Sequence, residues 1–255
     1  MDAMPPLLLG RRIAVLGSAS GLGLAVAAAC EAAGAEVLGI DTNKSFDHLT
    51  EFYRIDPDDP LAMDAVAAEL PSDLDGLALF PANRDERPEQ TLAQGLAAPK
   101  RLAEIVAPTL ATGGSIVARA APLTGAWSAS LGLVRAAAAL RPGSEGNFCA
   151  QWSLAQEPGL AARAVGWGML AWVLSHRWTW AGNGIRVNAL TPALFDGRLP
   201  PAISAARAID AADGPRLAAQ AAVFLLSPLS AGLTGANLAA DGGTSAQIQT
   251  SLEGL

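Results

Sequence analysis

Short β-branched or aliphatic runs alternate along this chain with longer Ala- and Leu-rich stretches, and that alternation leaves few folds open. Strands are predicted at Ile13 to Gly17, Glu36 to Asp41, Phe52 to Asp56, Leu77 to Phe80, Ser115 to Arg119, Ile185 to Leu190 and Asn237 to Ala240. Helices are predicted at about 22–33, 61–70, 89–110, 161–180 and 213–226. Right-handed crossovers need such helices to return the chain, so the expected fold class is α/β. It is a doubly wound parallel sheet of about seven strands with helices on both faces. Positions 121–160 carry Gly, Pro, Ser and short apolar pieces with no clear period, which reads as an inserted lobe after the fifth strand. With no internal repeat and no low-complexity linker, residues 1–255 are expected to form one domain.

An apolar fraction of 51% supports a large aliphatic core and excludes disorder. The net charge of −7 argues against nucleic acid and anionic membrane as partners. Two cysteines, Cys30 and Cys149, with only two histidines, make neither a disulfide framework nor a metal site. The start, with Asp2 and only three leucines in its apolar run, does not read as a signal peptide. Glycines interrupt the uncharged run from Ile13 to Cys30, and Gln220, Pro228 and Asn237 interrupt the later one, so no membrane span is expected. A cytoplasmic location follows as an expectation.

The first strand runs directly into Gly17-Ser18-Ala19-Ser20-Gly21-Leu22-Gly23. A glycine turn between a strand and a helix lets backbone N–H groups approach a pyrophosphate, and the helix N-terminus adds partial positive charge. Eighteen residues past Gly23, the second strand ends at Asp41. A carboxylate there accepts both ribose hydroxyls of NAD and repels the 2′-phosphate of NADP, although Lys44 nearby blurs that preference. Asp56, at the end of the third strand, stands where a side chain would cap an adenine amino group. Plainer roles remain open: a tight turn without a ligand, a solvated strand-end acid, and the start of an Asp-Pro-Asp-Asp-Pro turn.

With these features the chain resembles the short-chain dehydrogenase/reductase family over nearly its full length. Gly17-x-x-x-Gly21-x-Gly23 is similar to that family's dinucleotide turn. Gly113-Gly114-Ser115-Ile116-Val117 resembles its fifth-strand motif, Gly184-Ile185-Arg186-Val187-Asn188-Ala189 with Pro192 its sixth-strand segment, and Asp241-Gly242-Gly243 its C-terminal signature. The expanded stretch after the fifth strand is similar to that of the bacterial 3α-hydroxysteroid dehydrogenase/carbonyl reductase branch. The resemblance implies a nicotinamide cofactor, a tyrosine acid/base, and a lysine four residues later on the same helix face that lowers the phenol pKa. It further implies a serine on the fifth strand and an asparagine on the fourth helix.

Counting back from the sixth-strand segment puts the tyrosine position at or near Ala162 and the lysine position at Gly166. The serine position falls on Ala120 or Ala121, and the asparagine position near Gly95. The fourth-strand segment reads Phe80-Pro81-Ala82-Asn83, and a nicotinamide-binding threonine is lost near Gly197. No shift of alignment repairs this, because the only tyrosine is Tyr53 and the only lysines are Lys44 and Lys100. Substitutes are weak. Thr124 and Ser128 do not titrate near neutrality, His176 is ten residues beyond Gly166, and no motif places His48 in the pocket. Cys149 has no visible base, and Arg163 reads as a helix-surface cation. No catalytic residue is assigned.

Trp167, Trp172, Trp178 and Trp180 fall on one expected helix, with Met169, Leu170, Val173 and Leu174 between them. A helix apolar over most of its circumference is buried, in the core or against another chain. The expected partner is a second copy or an active dehydrogenase subunit, meeting the 161–180 helix. With the catalytic set missing, the resemblance implies first a catalytically degenerate family member, since some enzymes of the family pair an active subunit with a degenerate one: the non-catalytic subunit of a hetero-oligomeric NAD-dependent alcohol or 3-hydroxyacyl-CoA dehydrogenase. Two alternatives stand beside it: an active alcohol or hydroxysteroid dehydrogenase with non-standard residues, and an NAD(H)-sensing protein that signals through the insertion.

Overall fold

The computed structural model describes residues 6–56, 59, 61–82, 87–122, 127–193 and 213–253. Seven strands form one sheet: β1 (Arg12–Leu16), β2 (Glu36–Asp41), β3 (Glu51–Arg54), β4 (Gly76–Leu79), β5 (Ser115–Arg119), β6 (Arg186–Pro192) and β7 (Asn237–Ala240). Their order is β3-β2-β1-β4-β5-β6-β7, and every ladder is parallel. The expected doubly wound sheet is therefore the observed one. The central strands read as continuous apolar runs because both of their faces are covered. Alternate residues serve opposite sides: Ile13 and Val15 join one core cluster, and Ala14 and Leu16 the other.

On the first face lie α1 (Gly21–Ala32) and, numbering on in chain order, α8 (Gly214–Leu226), packed against each other. Val26, Ala27, Cys30, Ala218, Ala222 and Val223 are buried there. The opposite face carries α2 (Ala62–Glu69), α3 (Pro88–Leu92), α4 (Ala98–Val106) and α7 (Leu160–His176). The stretch 121–160, expected to be irregular, contains two short helices, α5 (Leu131–Ala139) and α6 (Glu145–Gln151). α5 packs along α7, and its Leu133, Val134 and Ala137 join the same core. Three apolar residues on so short a helix give a period too brief to read from sequence.

The helix expected over 89–110 is broken. A π-helical turn spans Ala93–Ala97 between α3 and α4, and a 3-10 turn spans Ala107–Thr109. Gly95 and Pro99 weaken the helical ladder at the first break, and Pro108 at the second. A final helix, α9 (Thr244–Glu253), was not expected; the Asp241 carboxylate accepts the N–H groups of Gly243 and Ser245 at its start. Among the described residues no helix is long and apolar enough to cross a membrane.

Candidate functional site

The strand order reverses direction between β1 and β4, and the carboxyl ends of those strands open the crevice where such sheets take ligands. The three glycines after β1 have separable jobs. A Cβ on Gly17 would overlap the Phe80 carbonyl, and one on Gly23 would overlap the Gly17 carbonyl, so both permit backbone-to-backbone packing. Gly21 has φ +56° and nothing within 4 Å of where its Cβ would stand, so its bare backbone faces open space. Ser20 is the extended N-cap of α1, but its hydroxyl makes no cap, and the first turn, which contains Leu22, holds no acid. The first-turn N–H groups are therefore free to meet an anion from outside.

Asp41, at the end of β2, is buried against this turn. Its carboxylate accepts from the Ala19 N–H at 3.0 Å, the Asn43 N–H at 2.9 Å and, at the longer 3.4 Å, the Thr42 hydroxyl. A carboxylate has about four acceptor positions, so capacity remains for a ribose hydroxyl, and for a second if the long Thr42 contact gives way. Beside it opens a cavity of about 270 Å³. It is lined by Gly17, Asp41 and Thr42, by Ile55, Asp56 and Asp59 after β3, and by Ala62 and Met63 of α2. Pro81 and Ala82 after β4, Gln94, Ala98 and Arg101 of α4, and Pro142, Gly143 and Glu145 line it as well. Drug-sized ligands usually occupy ~300–1,000 Å³, so this space suits part of a dinucleotide rather than all of it.

Four acids line the cavity against one cation, and Arg101 is committed to Asp64 through two hydrogen bonds, one of 3.1 Å. That pairing holds the Asp64 carboxyl below its usual range. An acid-rich lining favours neutral donor groups, such as an amine or ribose hydroxyls, over a ribose phosphate. Of the expected cofactor residues, Gly17, Asp41 and Asp56 line this cavity, whereas Ser20, Gly21, Leu22 and Gly23 do not. Sequence reasoning missed Asp59, Gln94, Arg101 and Glu145, whose approach to the cavity depends on tertiary packing that no local signal encodes.

Across the sheet the positions of the implied proton-transfer residues converge, but they hold no acid or base. Gly166 of α7 lies against Ala121, just beyond β5. The Ala121 N–H donates to the Gly166 carbonyl at 3.3 Å, and a Cβ on Gly166 would overlap the Ala121 Cβ. Gly95 sits inside the π turn, where a Cβ would stand 3.0 Å from Val165 Cγ1. Ala162 is one turn before Gly166 on the same face. Helix α7 thus rests on the end of β5 through small residues and leaves no room for a side chain at Gly166. Asn83, Thr124 and Gly197 lie outside the described residues.

The remaining titratable groups point elsewhere. Tyr53 lies on edge strand β3, donates to Glu51 at 2.6 Å, and is pushed up to about 12 by burial and then by that acid. His176 stacks on Trp172 and Trp180 at the far end of α7, with ring centroids 4.5 and 5.6 Å away. His48 pairs with Glu31, and Arg163 with Glu157, both at the surface. Ser128 is exposed. The Cys149 thiol is buried on α6 and pushed up to about 11, first by burial and then by Glu89, which leaves it unreactive. Among the described residues no His/Cys/Asp/Glu cluster fits a metal ion.

No family model matches the chain. A coniferyl-alcohol dehydrogenase from a Pseudomonas species, strain HR199, is 32% identical over 143 residues, which is 55% of this chain and 55% of that protein. The aligned part thus spans about half the length of that curated relative. The structure is similar to the 3-alpha-hydroxysteroid dehydrogenase from Pseudomonas sp. B-0831 complexed with NADH. The TM-score is 0.74 at 23% identity, over 94% of this chain and 98% of that one. A citronellol catabolism dehydrogenase of Pseudomonas aeruginosa PAO1 gives a TM-score of 0.67 at 22% identity, over 95% and 98% of the two chains. The chain shares the fold of these dehydrogenases, a doubly wound parallel sheet with helices on both faces.

Proposed function

We propose that this chain belongs to the short-chain dehydrogenase/reductase family, binds the adenosine side of NAD(H), and does not itself transfer hydride. In this reading it acts as the non-catalytic subunit of an NAD-dependent alcohol or 3-hydroxyacyl-CoA dehydrogenase. One observation carries it: the direct packing of Gly166 on Ala121, which leaves no room at the position where the resemblance implies the pKa-lowering lysine. A lysine buried there without its partners would be costly, so loss of the polar set together with close packing is self-consistent.

The residues fit the cofactor. Gly21 and the first turn of α1 face outward for a pyrophosphate, and Asp41 keeps acceptor capacity for a ribose hydroxyl. When bound, the nicotinamide would supply a hydride acceptor. Among the described residues the end of β5 carries Arg119, a guanidinium that stays protonated, and Ala120 and Ala121 after it, so that stretch offers no base to take the accompanying proton. The retained turn and the nearness of the inserted lobe to the cavity favour a second reading, an NAD(H)-responsive regulatory subunit.

Purified protein is expected to bind NADH in a fluorescence titration, and Asp41→Asn is expected to weaken binding on the order of tenfold through a lost charged acceptor. With NAD and a panel of primary alcohols and hydroxysteroids, no NADH formation is expected. Alcohol-dependent NADH formation that Asp41→Asn abolishes would contradict the proposal. Purification from the native source is expected to bring down a second, catalytically complete dehydrogenase.

A further inference from the structure

Lys100 is one of only two lysines in the chain and lies almost wholly buried on α4, 3% exposed. Its ammonium donates to the carbonyls of Ala138 and Leu140 at 2.7 Å each and of Ala137 at 3.3 Å. Three donors thus meet three acceptors. They are the carbonyls of the last turn of α5 and of its C-cap Leu140, with the Ala137 carbonyl also accepting the Leu140 N–H at 3.1 Å, and the cation faces the negative end of that helix. A lysine on α4 therefore holds the carboxyl end of a helix that belongs to the inserted lobe.

The turn that leaves this anchored helix end forms part of the cavity. Residues 141–144 are exposed, Gly143 turns the chain with φ +84°, and Pro142, Gly143 and Glu145 line the cavity. Ala98 and Arg101 of α4, the helix of Lys100, also line the cavity. One short helix thus both forms the cavity and sets the position of its outer wall.

We infer that Lys100 is a positioning residue that holds the α5–α6 turn, residues 140–144, as the outer wall of the nucleotide cavity, so that cavity occupancy and order in the inserted lobe are coupled. This rests on the nucleotide reading above. The ligand class is an adenosine nucleotide without a 2′-phosphate, because Glu145 adds an acid from the lobe to Asp41, Asp56 and Asp59. Coupling of this kind is reciprocal: a ligand held by the wall also orders the wall. Burial brings the Lys100 pKa down to about 8, against an upward pull from Glu104 on α4 and with a further downward push from Arg141 in the turn. A neutral amine keeps two of its three donors, so one α5 carbonyl is released as pH rises through that value.

The test combines NADH and AMP titrations with hydrogen exchange over residues 140–145, on wild type, Lys100→Met and Lys100→Arg. In wild type, nucleotide is expected to raise protection across 140–145, and affinity is expected to fall between pH 7 and 9.5. Lys100→Met is expected to bind both nucleotides on the order of tenfold more weakly and to lose the protection response. Lys100→Arg, charged throughout, is expected to restore part of the affinity and to flatten its pH profile. Unchanged protection at 140–145 in nucleotide-bound wild type would overturn the inference, as would a folded Lys100→Met that binds like wild type. The wild-type measurements need no variant, so a Lys100→Met that fails to fold does not remove the test. Wild type that binds neither nucleotide would overturn the nucleotide reading, whereas binding indifferent to Lys100 would overturn the coupling alone.

Discussion

The Ser18 hydroxyl is fully buried, close enough to Gly39 that a Cβ there would stand 2.6 Å from it, and it has no hydrogen-bond partner among the described residues. A hydroxyl left unpaired in the core costs roughly 1–3 kcal/mol, so Ser18→Ala is expected to leave stability unchanged or raise it by about 1 kcal/mol in urea titrations. A clear loss would mean that the hydroxyl has a partner. Lys100 makes a pH-dependent contribution. Its folded pKa of about 8 lies below the ordinary 10.5, so between those values the unfolded chain binds more protons and stability rises with pH. The rise is expected to reach at most about 3 kcal/mol in wild type and to be absent in Lys100→Met, as read from denaturation midpoints at pH 7 to 10. Asp41 and the glycine turn were legible because their chemistry is local to one strand–turn–helix unit. Lys100 and Glu145 were not, since a lysine on an Ala-rich helix reads as a surface charge until the partner carbonyls are seen. Other residues of the family-like motifs serve packing: the Arg186 guanidinium is buried on the carbonyls of Leu225, Ser227 and Ser230, and Asn188 ties β6 to Leu233 and Ala236.

Helix α7 carries two glycines that cost about 1 kcal/mol each relative to alanine in a helix. Packing explains both. Gly166 meets Ala121 after β5, and a Cβ on Gly168 would stand 2.7 Å from the Ala137 Cβ of α5. Propensity favours alanine at both positions and close contact forbids it, so the sign of a substitution measures how tightly α7 is seated. Gly166→Ala is expected to lower the urea midpoint by an amount worth about 1–3 kcal/mol or more, with no change in slope. A stabilising Gly166→Ala would mean that α7 stands off β5 and leaves space there. Strand placement followed directly from the apolar runs, but the helix expected over 89–110 is interrupted at a π turn. Such turns are frequent at functional sites and depend on packing that periodicity does not report. Likewise, α5 and α6 became helices because α7 and α3 offered them surfaces to pack on.

At the scale of the whole molecule, the proposed function joins an open cavity to a strand end that is packed shut. The proposed nucleotide half rests on β1, β2 and the first turn of α1, while the end of β5 is met by helix backbone. The 121–160 stretch links the two, since α5 lies along α7 and the turn after it lines the cavity. Trp167 and Trp172 are buried within this single chain, and Trp178, beyond the end of α7, is 68% exposed. Any partner that meets the Trp-rich segment would therefore touch its carboxyl end. The most direct test is a crystal structure of the protein soaked with NADH. The expected result is adenosine density in the cavity beside Asp41, with Gly166 still against Ala121 and no titratable side chain within hydrogen-bond reach of a group at the nicotinamide C4. A carboxylate, imidazole, phenol or amine of this chain poised at that carbon would contradict the account.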